Sequence, residues 1–311
     1  MAKLESRRDV LKGIGKLATV GGVVFASRLA GAAGKKKKSD AREDFFFLQL
    51  SDTHWGYSGV SNPKADVTLP TAIETINAAG ARPDFVVFTG DLTHTTDDPA
   101  VRKRRLAEFK KLSAGLKVDA LRLLPGEHDA AKDAGAAFRE ALGPTRYAFD
   151  HKGVHFIALD NVSDPAGAVG DEQIDWLSAD LKRTSPDTPV VVFTHRPLFD
   201  LYPQWEWATK DGAKVIDVLL PRKNLTVFYG HIHQEHHHET EHIHHHAAKS
   251  LVFALPAPGS VPKKVPLPYD EKAPFAGLGY RRVDERGADG AVRLAELSVR
   301  PLDAAATSTP R

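Results

Sequence analysis

Phe85-Val-Val-Phe-Thr-Gly-Asp91 is the stretch whose reading decides this chain. Four apolar residues of a buried-strand type run into Thr89 and Gly90, and then into a carboxylate at the point where the strand must end. Four other segments repeat the design. The apolar runs 45–50, 121–124, 189–193 and 225–229 lead to Asp52 and His54, to Glu127 and His128, to His195, and to His231 and His233. One Asp or His at a strand end is usually structural, but five in succession point to a shared centre. In an open α/β sheet the carboxyl ends of the strands converge on one crevice, so these side chains can meet there. Asp52 and His54 lie two apart in an extended segment, as do His231 and His233, so each pair can project to one side.

The intervening segments supply the layers. Residues 66–79 place Leu69, Ile73 and Ile76 on one helical face, and 99–116 turns Val101, Leu106, Phe109 and Leu112 inward while leaving 102–105 solvated. Helices are predicted over 130–142 and over 171–183, the second beginning near Gly170. Residues 147–150 and 154–159 read as a hairpin around Lys152-Gly153, and 251–255 as a further strand. A last hairpin, 280–283 with 291–299, turns across Arg286-Gly287. This order predicts an α/β protein: a four-layer αββα sandwich of two mixed β-sheets flanked by helices. Two segments fall outside the rhythm. Residues 198–210 carry Tyr202, Trp205 and Trp207 in a loop over the site, where the rings either stack on a base or sugar or pack onto their own domain. Residues 256–274, rich in proline and lysine, read as an extended surface loop.

The chain has 311 residues, with charge and apolar content ordinary for a globular protein. Formal charge is +2, and Lys3, Arg7, Arg8, Lys12, Lys16 and Arg28 against Glu5 and Asp9 put +4 into the first 33 residues, leaving the rest at −2. No nucleic-acid platform held by phosphate contacts is indicated. Cysteine is absent, so a metal has to be held by His and carboxylate, the harder ligand set.

Residues 1–34 read as a leader. Ser6-Arg7-Arg8-Asp9-Val10-Leu11-Lys12 resembles a twin-arginine export signal, and an apolar run over 17–27 and small residues over 30–33 follow it. The apolar run is about half of the roughly 20 residues a spanning helix needs, and Arg28 follows it, so no stable membrane anchor is expected after cleavage. The expected partner is the twin-arginine translocation machinery, and the expected location periplasmic or secreted. Residues 35–44 form a basic linker, 45–300 the domain and 301–311 a flexible tail.

Five blocks in order, Asp52-Thr-His54, Gly90-Asp91, Gly126-Glu-His-Asp129, Thr194-His-Arg-Pro197 and Gly230-His-Ile-His233, resemble the calcineurin-like metallophosphoesterases over roughly 45–260. That resemblance implies a metallo-dependent phosphatase fold and two divalent or mixed-valence metal ions, Mn, Fe or Zn. Asp52, His54, Asp91 and His233 would hold one ion and Asp91, Glu127, His195 and His231 the other, with Asp91 bridging. Two ions roughly 3.5–4 Å apart need such a shared carboxylate, and together they activate water as a metal-bridging hydroxide. His128 would donate a proton to the leaving alkoxide or stabilise phosphoryl charge. Arg196 is a possible phosphate contact.

Two positions depart from the family. Residue 127 is Glu where relatives have Asn. Residue 94 is His where relatives often carry an Asp that orients the catalytic histidine. Glu127 is expected to ligate the second metal, and His94 either to pair with Glu127 or to join the first metal's shell. A dense histidine run, His236, His237, His238, His242, His244, His245 and His246, reads as a His-rich loop over 236–246, either solvated without a defined site or recruiting metal. The resulting expectation is an exported hydrolase of a small phosphomonoester or phosphodiester. The alternative is a metal-binding or metal-buffering protein on the same fold with little turnover.

Overall fold

The computed structural model describes residues 25–28, 42–286 and 291–302. The twin-arginine motif, the greater part of the linker and of the C-terminal tail, and the turn at 287–290 lie outside the described residues. In chain order the strands are β1 (Phe25–Arg28), β2 (Phe45–Leu50), β3 (Phe85–Thr89), β4 (Leu121–Leu124), β5 (Tyr147–His151), β6 (Val154–Ala158), β7 (Val190–Phe193), β8 (Leu225–Tyr229), β9 (His236–Thr240), β10 (Ile243–Ala247), β11 (Gly279–Arg286) and β12 (Ala291–Ser298). The helices are α1 (Ala65–Ala78), α2 (Pro99–Ser113), α3 (Glu127–Ala130), α4 (Ala136–Leu142), α5 (Asp171–Arg183) and α6 (Gly212–Leu219).

Two six-stranded mixed sheets form, with spatial orders β1-β12-β11-β2-β3-β4 and β5-β6-β7-β8-β10-β9. Strands β2, β3 and β4 run parallel, as do β6, β7, β8 and β10. Period-2 alternation sorts their side chains into layers. Phe47, Phe85, Val87, Phe156, Phe193 and Phe228 meet between the sheets, and Phe47 alone touches four rings at 4.7–5.9 Å. The opposite faces carry Leu48, Leu50, Val86 and Phe88 against Leu69, Ile73, Leu106 and Phe109 of α1 and α2. Val190, Val192 and Val227 pack likewise against Leu177, Val215 and Leu219 of α5 and α6. The result is the expected αββα sandwich, and each parallel strand delivers its C-terminal loop to one end.

Several local expectations are corrected. The helix expected over 130–142 is interrupted, because Ala134 and Gly135 adopt left-handed backbone (φ 49° and 75°) and Asp133 accepts the Ala137 N–H that starts α4. Residues 251–255 form no strand. Leu251 N–H goes instead to the Ser51 and Asp52 carbonyls, and Phe253 O accepts from His233 and Ser250. The cationic stretch of α2 is not wholly solvated: Arg102 is buried on Asp133 (2.8 Å) and Thr96 O (3.2 Å).

The histidine run is not a loop. β9 and β10 form an antiparallel hairpin whose second strand runs parallel to β8, with His237 opposite His246 and His238 opposite His245. Extension of the sheet supplies the backbone partners, and Ile243, His245 and Ala247 are fully buried. Phe25–Arg28, read in the sequence as part of a leader, pair antiparallel with β12.

Candidate metal centre

The loops after β2, β3, β4, β7 and β8 bring seven side chains together. The β2 and β3 loops continue as a pair beyond their strands, Asp52 N–H donating to Gly90 O (3.0 Å) and His54 N–H to Asp91 O (2.9 Å). Asp52, His54, Asp91, His231 and His233 all hold left-handed backbone, with φ between 42° and 67°. Each such residue costs about 1–3 kcal/mol and persists only where its surroundings enforce it. Asp and His tolerate the region better than branched residues do, and here it turns consecutive ligand-type side chains inward. Gly90 (φ 97°) and Gly126 leave the room this needs. A Cβ at Gly90 would stand 2.3 Å from His195 Nδ1, and one at Gly126 2.0 Å from Asp91 Oδ1.

The inward-facing atoms form two joined groups. In the first, His54 Nε2 lies 3.3 Å from both Asp91 Oδ2 and His233 Nε2, and His233 Nε2 lies 3.4 Å from Asp52 Oδ1. In the second, Glu127 sits between His195 Nε2 (3.0 Å to Oε2) and His231 Nδ1 (2.9 Å to Oε1). Asp91 joins them. Its Oδ1 accepts the His128 N–H (2.9 Å), leaving Oδ2 to face His54 and, at 3.5 Å, His195.

The outer ring nitrogens show which inner atoms are lone pairs. A carbonyl can only accept, so His195 Nδ1–H donates to Thr89 O (2.7 Å), His233 Nδ1–H to Phe253 O (2.8 Å) and His231 Nε2–H to Glu206 O (3.1 Å). In the neutral rings the second nitrogen of each is then an acceptor aimed at other acceptors. Glu127 Oε2 and His195 Nε2 are both buried with no hydrogen-bond partner. A cation resolves this arrangement, and hard divalent ions suit a donor set of imidazole and carboxylate. The residues present therefore fit metal.

The electrostatics agree. Burial opposes charge on Glu127, but His231 and His195 overcome it and hold the carboxyl well below its usual range. Asp91, disfavoured as an anion by burial and by Glu127, is lowered to about 2 by His128, His195 and His54. Burial opposes protonation of His195, yet Asp91 and Glu127 raise it well above the usual histidine range. Asp52 and Asp91, both buried, and the partly buried Glu127 need compensating positive charge.

His128 lies at the edge of the centre with Nε2 4.0 Å from Asp91 Oδ2. Its Nδ1 accepts from the Thr95 N–H (3.1 Å). His94 sits on the His54 side, Nδ1 to Nδ1 3.2 Å, and burial, His128 and Arg105 push it down to about 4. Of its two expected placements, that near the first group is the one found. Arg196 Nε comes within 3.6 Å of Glu127 Oε2. Trp205 and Trp207 of the 198–210 segment pack inward on Tyr229, Ile232 and Leu255, while Glu206 between them supplies the carbonyl that holds His231.

Two positioning residues had no role in the sequence reading. Asp129, the last residue of Gly126-Glu-His-Asp129, accepts from the amides of Leu92, Thr93 and Gly126 and from the Thr93 hydroxyl, all at 2.8–2.9 Å, which locks the β3 and β4 loops together. Burial and Asp91 raise its carboxyl to about 6 against those four donors. Asn161, beyond β6, accepts from the amides of His195 and Arg196. Its signal was the same one that marked the others, a polar residue just past an apolar strand.

Residues 47–235 match the sequence model of the calcineurin-like phosphoesterases. The chain is 30% identical over 207 residues to a probable cyclic nucleotide phosphodiesterase of Rhodococcus erythropolis, covering 62% of this chain and 66% of that protein. It is 29% identical over 206 residues to a cAMP/cGMP dual specificity phosphodiesterase of Mycobacterium tuberculosis, covering 62% and 63%. The chain thus spans just under two thirds of the length of these two relatives. Among solved structures, a dimetal phosphatase from Danio rerio is similar with a TM-score of 0.56 at 12% identity, covering 82% of this chain and 99% of that one. A purple acid phosphatase from yellow lupin gives 0.57 at 12% identity, covering 87% and 57%. These structural likenesses concern the fold.

Proposed function

We propose a phosphodiesterase activity at a two-metal centre for this chain, which belongs to the calcineurin-like phosphoesterase family and is a metal-dependent hydrolase of phosphoric esters. In this reading Asp52, His54, Asp91 and His233 hold one ion, and Asp91, Glu127, His195 and His231 the other. The observation that carries it is the single oxygen Asp91 Oδ2, 3.3 Å from His54 and 3.5 Å from His195, with its partner oxygen committed to a backbone amide. Bound divalent ions supply Lewis acidity toward phosphoryl oxygens and lower the pKa of water.

The chain's own groups do the rest. Glu127 takes the place of a neutral amide and brings negative charge to the second group. Three backbone carbonyls, of Thr89, Phe253 and Glu206, fix the tautomers of His195, His233 and His231 so that their free nitrogens face inward. His128, accepting a backbone N–H at Nδ1, presents its Nε2–H toward the centre as a hydrogen-bond donor that stabilises negative charge on the phosphoryl oxygens as the ester bond breaks. Arg196, beside Glu127, contacts the phosphoryl group.

A diester substrate is favoured by the relatives named for cyclic nucleotides and by one in Arcobacter nitrofigilis named a probable glycerophosphodiester phosphodiesterase, 29% identical over 160 residues. A metal buffer without turnover is the weaker reading, because a histidine whose N–H is aimed at the centre has no use in it. Export by the twin-arginine route is part of the proposal and is supported by the sequence, through Ser6-Arg7-Arg8-Asp9-Val10-Leu11-Lys12, the apolar run over 17–27 and the small residues over 30–33. The activity is tested with a panel of a 3′,5′-cyclic nucleotide, a glycerophosphodiester, a diaryl phosphate and an aryl monophosphate, assayed with Mn, Fe and Zn. Faster turnover of a diester than of the monoester supports it, and turnover of the monoester alone, or of none, overturns it.

A further inference from the structure

Beside the centre lies a cavity of about 240 Å³, and one ring belongs to both. Phe253 lines the cavity and also packs on His233 and His54, with ring centroids 4.8 and 5.8 Å apart and planes inclined by 31° and 29°. Its carbonyl accepts the His233 Nδ1–H (2.8 Å), and its side chain is half-buried, so the boundary between centre and cavity reaches the surface. The rest of the wall includes Asn62 and, from the proline-rich segment and its continuation, Leu267, Tyr269, Pro274 and Leu278. The same segment runs along the second group of the centre. Lys264 Nζ donates to Trp205 O (3.0 Å) and lies 3.8 Å from the carboxylate of Glu206, whose carbonyl holds His231.

The wall is mainly apolar, and one polar atom in it is unpaired. Asn62 is fully engaged: its amide hydrogens go to Val252 O (2.6 Å) and Thr68 Oγ1 (3.4 Å), and its oxygen accepts the Lys64 N–H (3.1 Å). The Tyr269 hydroxyl is buried with no hydrogen-bond partner among the described residues. A phenol can donate, and burying it unpaired is costly, so an acceptor brought into the cavity gains that bond. The volume falls below the roughly 300–1,000 Å³ of sites that enclose a whole drug-sized ligand, which suits one arm of a substrate whose phosphate stays at the centre. Aromatic walls suit a flat ring. A larger hollow, of about 540 Å³ beside His155, does not compete. It lies at the start of β6 and just before β7, the opposite end of the sheet from the centre, and His155 is already paired with Asp150 (2.6 Å) and Asp180 (2.7 Å).

We infer that this cavity is a subsite for a heterocyclic base on the arm that stays on phosphorus when a diester is cleaved, with a ring carbonyl or nitrogen accepting from the Tyr269 hydroxyl. The inference rests on the diesterase reading. Its test keeps the leaving group constant and varies the retained arm: the methyl, phenyl and thymidine 5′ esters of p-nitrophenyl phosphate, each releasing nitrophenolate. They are assayed on metal-loaded wild type, Tyr269→Phe and Ala273→Trp, the last placing an indole at the cavity wall. Wild type is expected to show a KM about 10-fold lower for the thymidine ester than for the methyl ester, at similar kcat. Tyr269→Phe loses about 3- to 10-fold in KM on the thymidine ester alone, the worth of one hydrogen bond. Ala273→Trp removes the advantage of both ring-bearing arms. Both variants keep wild-type kinetics on the methyl ester and wild-type metal content. Absence of a preference for the thymidine ester in wild type, its full retention in Tyr269→Phe, or a loss equal for all three arms overturns the subsite and leaves the diesterase reading standing. If none of the three esters turns over, the diesterase reading fails and the subsite falls with it.

Discussion

His195 Nε2 lies 3.0 Å from Glu127 Oε2, and both atoms are buried without a hydrogen-bond partner. With Nδ1 spent on the Thr89 carbonyl, only a proton or a bound cation at Nε2 can join the ring to the carboxylate, and Asp91 and Glu127 favour positive charge at that point by raising the ring well above the usual histidine range. Glu127→Ala is therefore expected to lose one of about two bound ions per chain and to lower kcat roughly 100-fold or more. Metal analysis and diester hydrolysis on the same preparation check this. Unchanged metal content in the variant would show that Glu127 is not a ligand.

Gly126→Ala is expected to fail for a steric reason. The added Cβ would stand 2.0 Å from Asp91 Oδ1 and 2.2 Å from Asp91 N, so the carboxylate shared by the two groups has to move. A loss of about 1–3 kcal/mol of stability, read as a lower melting temperature, together with weaker metal retention, is the expected outcome. Wild-type metal content in a stable variant would mean that Asp91 tolerates displacement.

The centre was legible in the sequence because its geometry follows from strand direction. Apolar runs such as 85–88 and 225–229 can only be buried strands, and whatever follows them arrives at one end. The parts that escaped depend on contacts remote in sequence. Helix α6 (Gly212–Leu219) is short and begins inside a polar segment, although Val215, Ile216 and Leu219 bury one side of it. The histidine hairpin reads as polar, and its strand character comes from pairing with β8 rather than from its own propensity. Residues 251–255 are apolar because they pass beneath the centre, where their backbone bonds to loops. Helical periodicity identified the outer face of α2 but could not show that Arg105 on it meets the His94 and Thr95 carbonyls.

The histidine hairpin carries an acid liability. His245 and His246 are buried, and burial with neighbouring positive charge pushes them down to about 3 and about 2. In the unfolded chain they titrate near the ordinary histidine value of about 6.5. Below that pH the unfolded state binds more protons, so stability falls as pH falls from about 6.5 toward about 3. The slope is at most about 1.4 kcal/mol per pH unit for each histidine. Denaturant midpoints at pH 7, 6 and 5 are expected to drop in the wild type and to drop less in His245→Leu/His246→Leu. Parallel slopes would contradict it. The same strands make deletion of 236–246 a folding defect, so it is no clean probe of metal recruitment.

Export is checked by Arg7→Lys/Arg8→Lys in the full chain. Twin-arginine recognition predicts that the wild type reaches the periplasm or medium in processed form and that the double variant stays inside unprocessed. Equal export of both would remove the assignment.

The central claim is one carboxylate shared by two ions. Elemental analysis of purified wild type and Asp91→Ala tests it most directly. The account predicts about two transition-metal ions per wild-type chain and less than about one in Asp91→Ala, because both groups lose a ligand together. A variant that loses a single ion and retains the other at full occupancy, or a wild type that binds only one, would contradict it.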